Sequence, residues 1–110
     1  MLDQERRKNS RIPLVVAVKQ VLDKEILLCQ SCDLSTLGMA LVLPGDSGLP
    51  ADTPTKLEFA LPGSNRTMAL EAVTVRQKAN GRFITAGVVF QNVRPETRRR
   101  IRRFIEQKAA

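Results

Sequence analysis

Residues 26–44 read ILLCQSCDLSTLGMALVLP, and the way this stretch folds decides the architecture. From Gly38 to Pro44, Met39, Leu41 and Leu43 alternate with Ala40 and Val42. That period of two belongs to a strand with one face in a core. Residues 26–34 (ILLCQSCDL) read as the strand before it, and Ser35-Thr36-Leu37-Gly38 as the turn that joins them. A strand, a short turn and a second strand therefore stand at the centre of the reading.

The neighbouring segments repeat that pattern. Residues 12–20 (IPLVVAVKQ) are rich in valine and have Pro13 near the start, where a missing N–H is tolerable. LDKE makes a turn into residue 26, and PGDSGLPADTP, residues 44–54, is the longest loop candidate. In residues 55–61, Leu57, Phe59 and Leu61 share one face. Pro-Gly-Ser-Asn at 62–65 then turns the chain into TMALEAVTVRQ, with a register change expected before Val73 and Val75. Asn80-Gly81 marks a hairpin into a sixth strand, RFITAGVVF. Six short strands with no helix between them predict an all-β domain, an antiparallel sheet closed into a small barrel or folded as a sandwich, with one C-terminal helix.

That helix is announced by Pro95 at a first helical position, Glu96 in the first turn and Lys108 in the last. Ile101, Phe104 and Ile105 form its narrow apolar stripe, and Glu96 and Arg100, four apart, are expected to pair. Leu37 and Val88 read as core, and Gly87 as a strand glycine that allows close packing or a bulge. The expected organisation is an N-terminal segment over 1–11, a barrel over 12–93 and the helix over 94–110.

Composition narrows the function. The 110 residues suffice for one domain with its own core. Hydrophobic residues make up 43% and charged ones 26%, the proportions of a globular chain. No apolar run approaches the roughly eighteen residues of a membrane span. MLDQERRKNSR has no apolar signal region, so a cytoplasmic location is expected. Histidine, tryptophan and tyrosine are absent. The commonest general base and metal ligand are thus missing, and neither catalysis, a metal nor a cofactor is expected. Cys29 and Cys32 form a lone CxxC without further zinc ligands, and on a strand positions three apart face opposite ways. They read as two structural thiols.

The formal charge of +7 points to an anionic partner. It is concentrated in two places: four cations within RRKNSR at 6–11, and five arginines within RRRIRR at 98–103. The first cluster contains an RxxxR, Arg7 and Arg11, just ahead of the first strand. The stretch that opened the reading contains a DxSxxG: Asp33, Ser35 and Gly38. Arginine forks suit phosphate oxygens and the O6/N7 edge of guanine. A carboxylate accepts from the N1–H and N2–H₂ edge of guanine, where adenine offers no matching donors. Serine adds a donor and acceptor, and glycine lets backbone approach closely. The set suits a guanine nucleotide with exposed phosphate.

This pairing of RxxxR and DxSxxG on a β-rich chain resembles the PilZ domain family, receptors for the bacterial second messenger cyclic di-GMP. The resemblance runs over the whole chain and implies a six-stranded antiparallel β-barrel with the helix at its side. It also implies that Arg7 and Arg11 grip phosphates and guanines, that Asp33 and Ser35 hydrogen-bond guanine, and that Gly38 shapes the turn. Arg6 and Lys8 are auxiliary candidates. Met39 stands where the family often has a second glycine.

The expected mechanism is that of a receptor or adaptor. Ligand orders the N-terminal arginine segment on the barrel, and the new surface signals to an unidentified downstream protein, such as one in motility or biofilm control. The rival reading is a nucleic-acid-binding or ligand-independent interaction module built on the arginine-rich C-terminal helix. Nucleic acid is the less favoured partner.

Overall fold

In the computed structural model, residues 11–45 and 50–109 are described. They form seven strands and one helix: β1 (Ile12–Pro13), β2 (Ala17–Val21), β3 (Ile26–Leu34), β4 (Gly38–Pro44), β5 (Pro54–Ala60), β6 (Thr67–Asn80), β7 (Phe83–Gln91) and α1 (Pro95–Ala109). All pairings are antiparallel, in the order β1-β3-β2-β5-β6-β7-β4, and β3 also pairs with β4. That last pairing closes β2 to β7 into a six-stranded barrel, with β1 as an extra short strand on β3. Closure leaves no long unpaired edge among these strands. Among the described residues, no helix is long and apolar enough to cross a membrane.

The expected first strand, 12–20, is one run broken in two. β1 pairs Ile12 with Leu34, whereas β2 pairs Ala17 with Gln30, so the register slips by one between them. The side chain of Ser31 bridges the slip. Its Oγ donates to the carbonyl of Leu14 and accepts from the amide of Val16 at 3.0 Å. Both backbone groups would otherwise be stranded inside the sheet. Nothing in the valine-rich sequence announces the break, because the residue that stabilises it lies on another strand.

The interior follows the predicted alternation. Met39, Leu41 and Leu43 of β4, Leu57 and Phe59 of β5, and Met68, Leu70 and Ala72 of β6 all point inward. Ile101, Phe104 and Ile105 of α1 join the same core. Val88 is buried as expected, but Leu37 is 48% exposed, because it sits at the apex of the turn between β3 and β4. The expected pair of Glu96 and Arg100 is replaced by another contact. Arg100 reaches Ser64 Oγ and the Arg66 carbonyl, both at 3.4 Å, and ties α1 to the turn between β5 and β6. That turn has Gly63 at φ 84° after Pro62, with Ser64 N donating to Leu61 O at 3.0 Å. These are the marks of a type II turn.

The hairpin between β6 and β7 is shifted by one residue from the expectation. Asn80 pairs with Phe83, so the two loop residues are Gly81 and Arg82, and Gly81 takes φ 67° at the first loop position. This is the type II′ arrangement, whose twist suits the two flanking strands.

Gly38 opens β4 directly beneath β7. A Cβ added there would lie 2.0 Å from the Val88 carbonyl oxygen, and that atom is backbone and cannot swing aside. Gly38→Ala should therefore cost about 3 kcal/mol or more, at the upper end for overpacking. Urea unfolding followed by far-ultraviolet circular dichroism measures it. Ser31→Ala, which strands the Leu14 carbonyl and the Val16 amide, should cost about 2 kcal/mol or more in the same assay.

Candidate ligand site on the outer barrel face

Two strands carry one extra residue each, and both extras bear on the same patch of surface. Along β3, Ser31 pairs with Leu41, but Asp33 rather than Cys32 pairs with Ala40. Along β6, Thr74 pairs with Val88, but Arg76 rather than Val75 pairs with Gly87. Ser31, Leu41, Thr74 and Val88 are all buried. Strict alternation would have sent Asp33 and Arg76 to that same buried face, where an isolated charge is costly. Each bulge turns its charged residue outward. The register change expected before Val73 and Val75 falls later, between Thr74 and Arg76: Thr74 continues the buried face of Met68, Leu70 and Ala72, and Val75 is the exposed extra residue.

Ala40 also pairs with Gly87. A single row therefore crosses four strands of the outer face: Asp33, Ala40, Gly87 and Arg76. Two small residues form the floor and two charged ones stand at the sides. A cleft of about 400 Å³ lies over this row and takes in Arg11. Gln77, Lys78 and Thr85 complete its lining.

Within the cleft, Asp33 Oδ1 accepts from the Ala40 amide at 2.9 Å and from Arg11 Nη1 at 2.9 Å. The backbone bond fixes the carboxylate, and Oδ2 has no protein partner among the described residues. The Arg11–Asp33 pair is partly solvated, with side chains 47% and 29% exposed, so its net contribution to stability is small. A weak pair beside a cleft is suited to exchange: Arg11 can leave the carboxylate for an incoming anion at little cost.

The other motif residues lie beneath the site. Ser35 is 2% exposed. Its Oγ accepts from the amides of Leu37 and Gly38 at 3.1 and 3.2 Å and donates to the Gly38 carbonyl at 3.3 Å. It stands in for a backbone carbonyl in closing the turn. Gly38 permits the contact with β7 described above. Neither lines the cleft, so a direct contact of Ser35 with ligand requires its Oγ to give up a turn bond. Arg6, Arg7 and Lys8 lie outside the described residues.

Cys29 packs against the core, and Cys32 does not join it. Cys29 Sγ contacts the Val18 carbonyl at 3.5 Å, and burial pushes its thiol up to about 11. Cys32 is the extra residue of β3. Its thiol is raised by burial and by the neighbouring Asp33 charge. Both are free thiols held protonated near neutrality, which fits structural roles. No cluster of three or more metal-binding side chains occurs among the described residues.

Sequence reasoning missed Arg76, Lys78 and Thr85 as parts of the site. The signal available was the broken alternation in TVRQK, which places a bulge but not its neighbours. Gly87, read as a packing glycine, proves to lie under the Arg76 side chain.

Comparison with solved structures places this fold among known ones. The chain superposes on the Bacillus subtilis inhibitor of motility MotI/DgrA with a TM-score of 0.82 at 18% identity, covering 94% of this chain and 51% of that one. It superposes on the PilZ domain of YcgR from Escherichia coli, solved with c-di-GMP, with a TM-score of 0.71 at 22% identity and 94% of each chain covered. The Borreliella burgdorferi PlzA protein, solved in complex with c-di-GMP, gives a TM-score of 0.67 at 11% identity, over 99% of this chain and 57% of that one. At these identities the likeness is one of fold, and the chain spans about half the length of two of these three. No curated protein sequence matches. The sequence does match the PilZ domain over residues 5–107, nearly the whole chain. It therefore belongs to the PilZ domain family, a family of cyclic di-GMP receptors.

Proposed function

We propose that this domain is a cyclic di-GMP receptor with no catalytic step, which orders its N-terminal arginine segment on ligand binding and passes the signal to a partner protein. The observation that carries the reading is the Arg11–Asp33 pair at 2.9 Å in a cleft of about 400 Å³. The family supplies the ligand class, and two of the similar structures were solved with c-di-GMP.

In this mechanism Arg11 exchanges Asp33 for a ligand phosphate, and Arg7, four residues upstream, takes a second contact. Asp33 keeps its bond to the Ala40 amide and offers Oδ2 to the N1–H and N2–H₂ edge of guanine. Ser35 and Gly38 act chiefly by holding the turn that presents Asp33. Ordering the segment before β1 costs conformational entropy, which the charge-assisted bonds offset. The surface so formed is the one a downstream protein reads.

A second reading rests on α1, where Arg98, Arg99, Arg102 and Arg103 are exposed and none has an ion-pair partner among the described residues. Binding of nucleic acid through these arginines would fall steeply with salt and would be insensitive to Arg11 and Asp33.

Calorimetric titration with cyclic di-GMP at physiological salt separates the two. Arg7→Ala, Arg11→Ala and Asp33→Ala should each weaken binding by about 1.5–3 kcal/mol, roughly ten- to a hundredfold. Unchanged affinity in all three would overturn the receptor reading. Binding of duplex DNA that is lost in an α1 arginine variant would favour the second.

A further inference from the structure

The charge inside the cleft is unevenly compensated. Arg11 and Asp33 neutralise one another at 2.9 Å. On the opposite side, β6 brings Arg76 and Lys78 to the same cleft, and neither has an ion-pair partner among the described residues. The cleft thus presents two unmatched positive charges from β6. A ligand with two phosphodiester groups carries two negative ones.

Arg76 is also held in place. The position that a Cβ on Gly87 would occupy lies 3.2 Å from Arg76 Nε and 3.3 Å from its Cγ. The arginine stem therefore lies along the bare backbone of β7, across the small floor from Asp33. Three features of the chain produce this placement: the bulge at Val75, the pairing of Arg76 with Gly87, and the missing side chain at 87. The bulge brings Arg76 to the outer face, and the bare backbone at Gly87 lets its stem lie flat across the cleft floor.

The geometry points to Arg76 as a second phosphate-binding arm of the site, with Lys78 beside it, facing the arm formed by Arg11. This inference rests on the cyclic di-GMP reading. The ligand is held from two sides, by Arg11 just ahead of β1 and by the second half of β6. A guanidinium fork lying over glycine is set to meet a phosphate with two parallel bonds, so the arm depends on shape as well as charge.

The test is calorimetric titration of cyclic di-GMP into the full chain and four variants, with thermal unfolding as a check of folding. Arg76→Ala should weaken binding about ten- to a hundredfold. Arg76→Lys, which keeps the charge and loses the fork, should fall between that variant and the parent protein. Gly87→Val leaves every charge in place but displaces the arginine stem, and it should weaken binding while the domain still unfolds cooperatively. Arg98→Ala, on the helix away from the cleft, should bind like the parent and so exclude a general effect of net charge. Parent binding together with equal affinities for Arg76→Ala, Gly87→Val and Arg98→Ala overturns the inference and leaves the receptor reading standing. Absence of saturable heat from the parent protein itself overturns both.

Discussion

A barrel strand has only two faces, and a charged residue on the wrong one is expelled or must be re-aimed. That constraint governs this domain. β3 and β6 both run as alternating strands whose next inward position would have been Asp33 or Arg76. One extra residue in each strand, Cys32 or Val75, turns the charge outward and lets Leu34 of β3 return to the core. The strands between them, β4 and β7, contribute Ala40 and Gly87 to the same row. The cleft is therefore a product of barrel register: two charged walls raised by bulges over a floor kept low by small residues.

The DxSxxG spacing acquires a physical meaning in this setting. Asp33 is the residue that meets the cleft, and its carboxylate is fixed by the Ala40 amide across the strand pair. Ser35, two residues on, closes the turn with its hydroxyl in place of a carbonyl. Gly38, five residues on, must be bare because the Val88 carbonyl occupies the space of its side chain. Cleft wall and scaffold thus share one short stretch. A substitution at Ser35 or Gly38 acts on the site through the hairpin, whereas one at Asp33 acts on it directly.

Much of this was legible in the sequence because it is local. Alternating apolar residues placed β4, β5 and the first half of β6, the turn residues placed the β5–β6 and β6–β7 loops to within a residue, and the stripe of Ile101, Phe104 and Ile105 placed the inner face of α1. What stayed hidden depends on partners distant in the chain. The break in the first strand is stabilised by Ser31, some fifteen residues later. Arg100 bonds across to Ser64 and not to its helical neighbour Glu96. Arg76 and Lys78 enter the cleft only because β6 pairs with β7 and β7 with β4, which no single segment encodes. Leu37, apolar and within a short motif, was read as core, but the turn bonds of Ser35 hold it outside.

The central claim is that ligand sits on the outer face of β3, β4, β7 and β6, over Ala40 and Gly87. Backbone amide NMR shifts recorded during a cyclic di-GMP titration test it most directly, because they locate binding without any substitution. The account predicts the largest, saturable shifts at Asp33, Ala40, Arg76 and Gly87, with the amides of Arg98 to Arg103 nearly unmoved. Shifts confined to the helix, or none at saturating ligand, would contradict it.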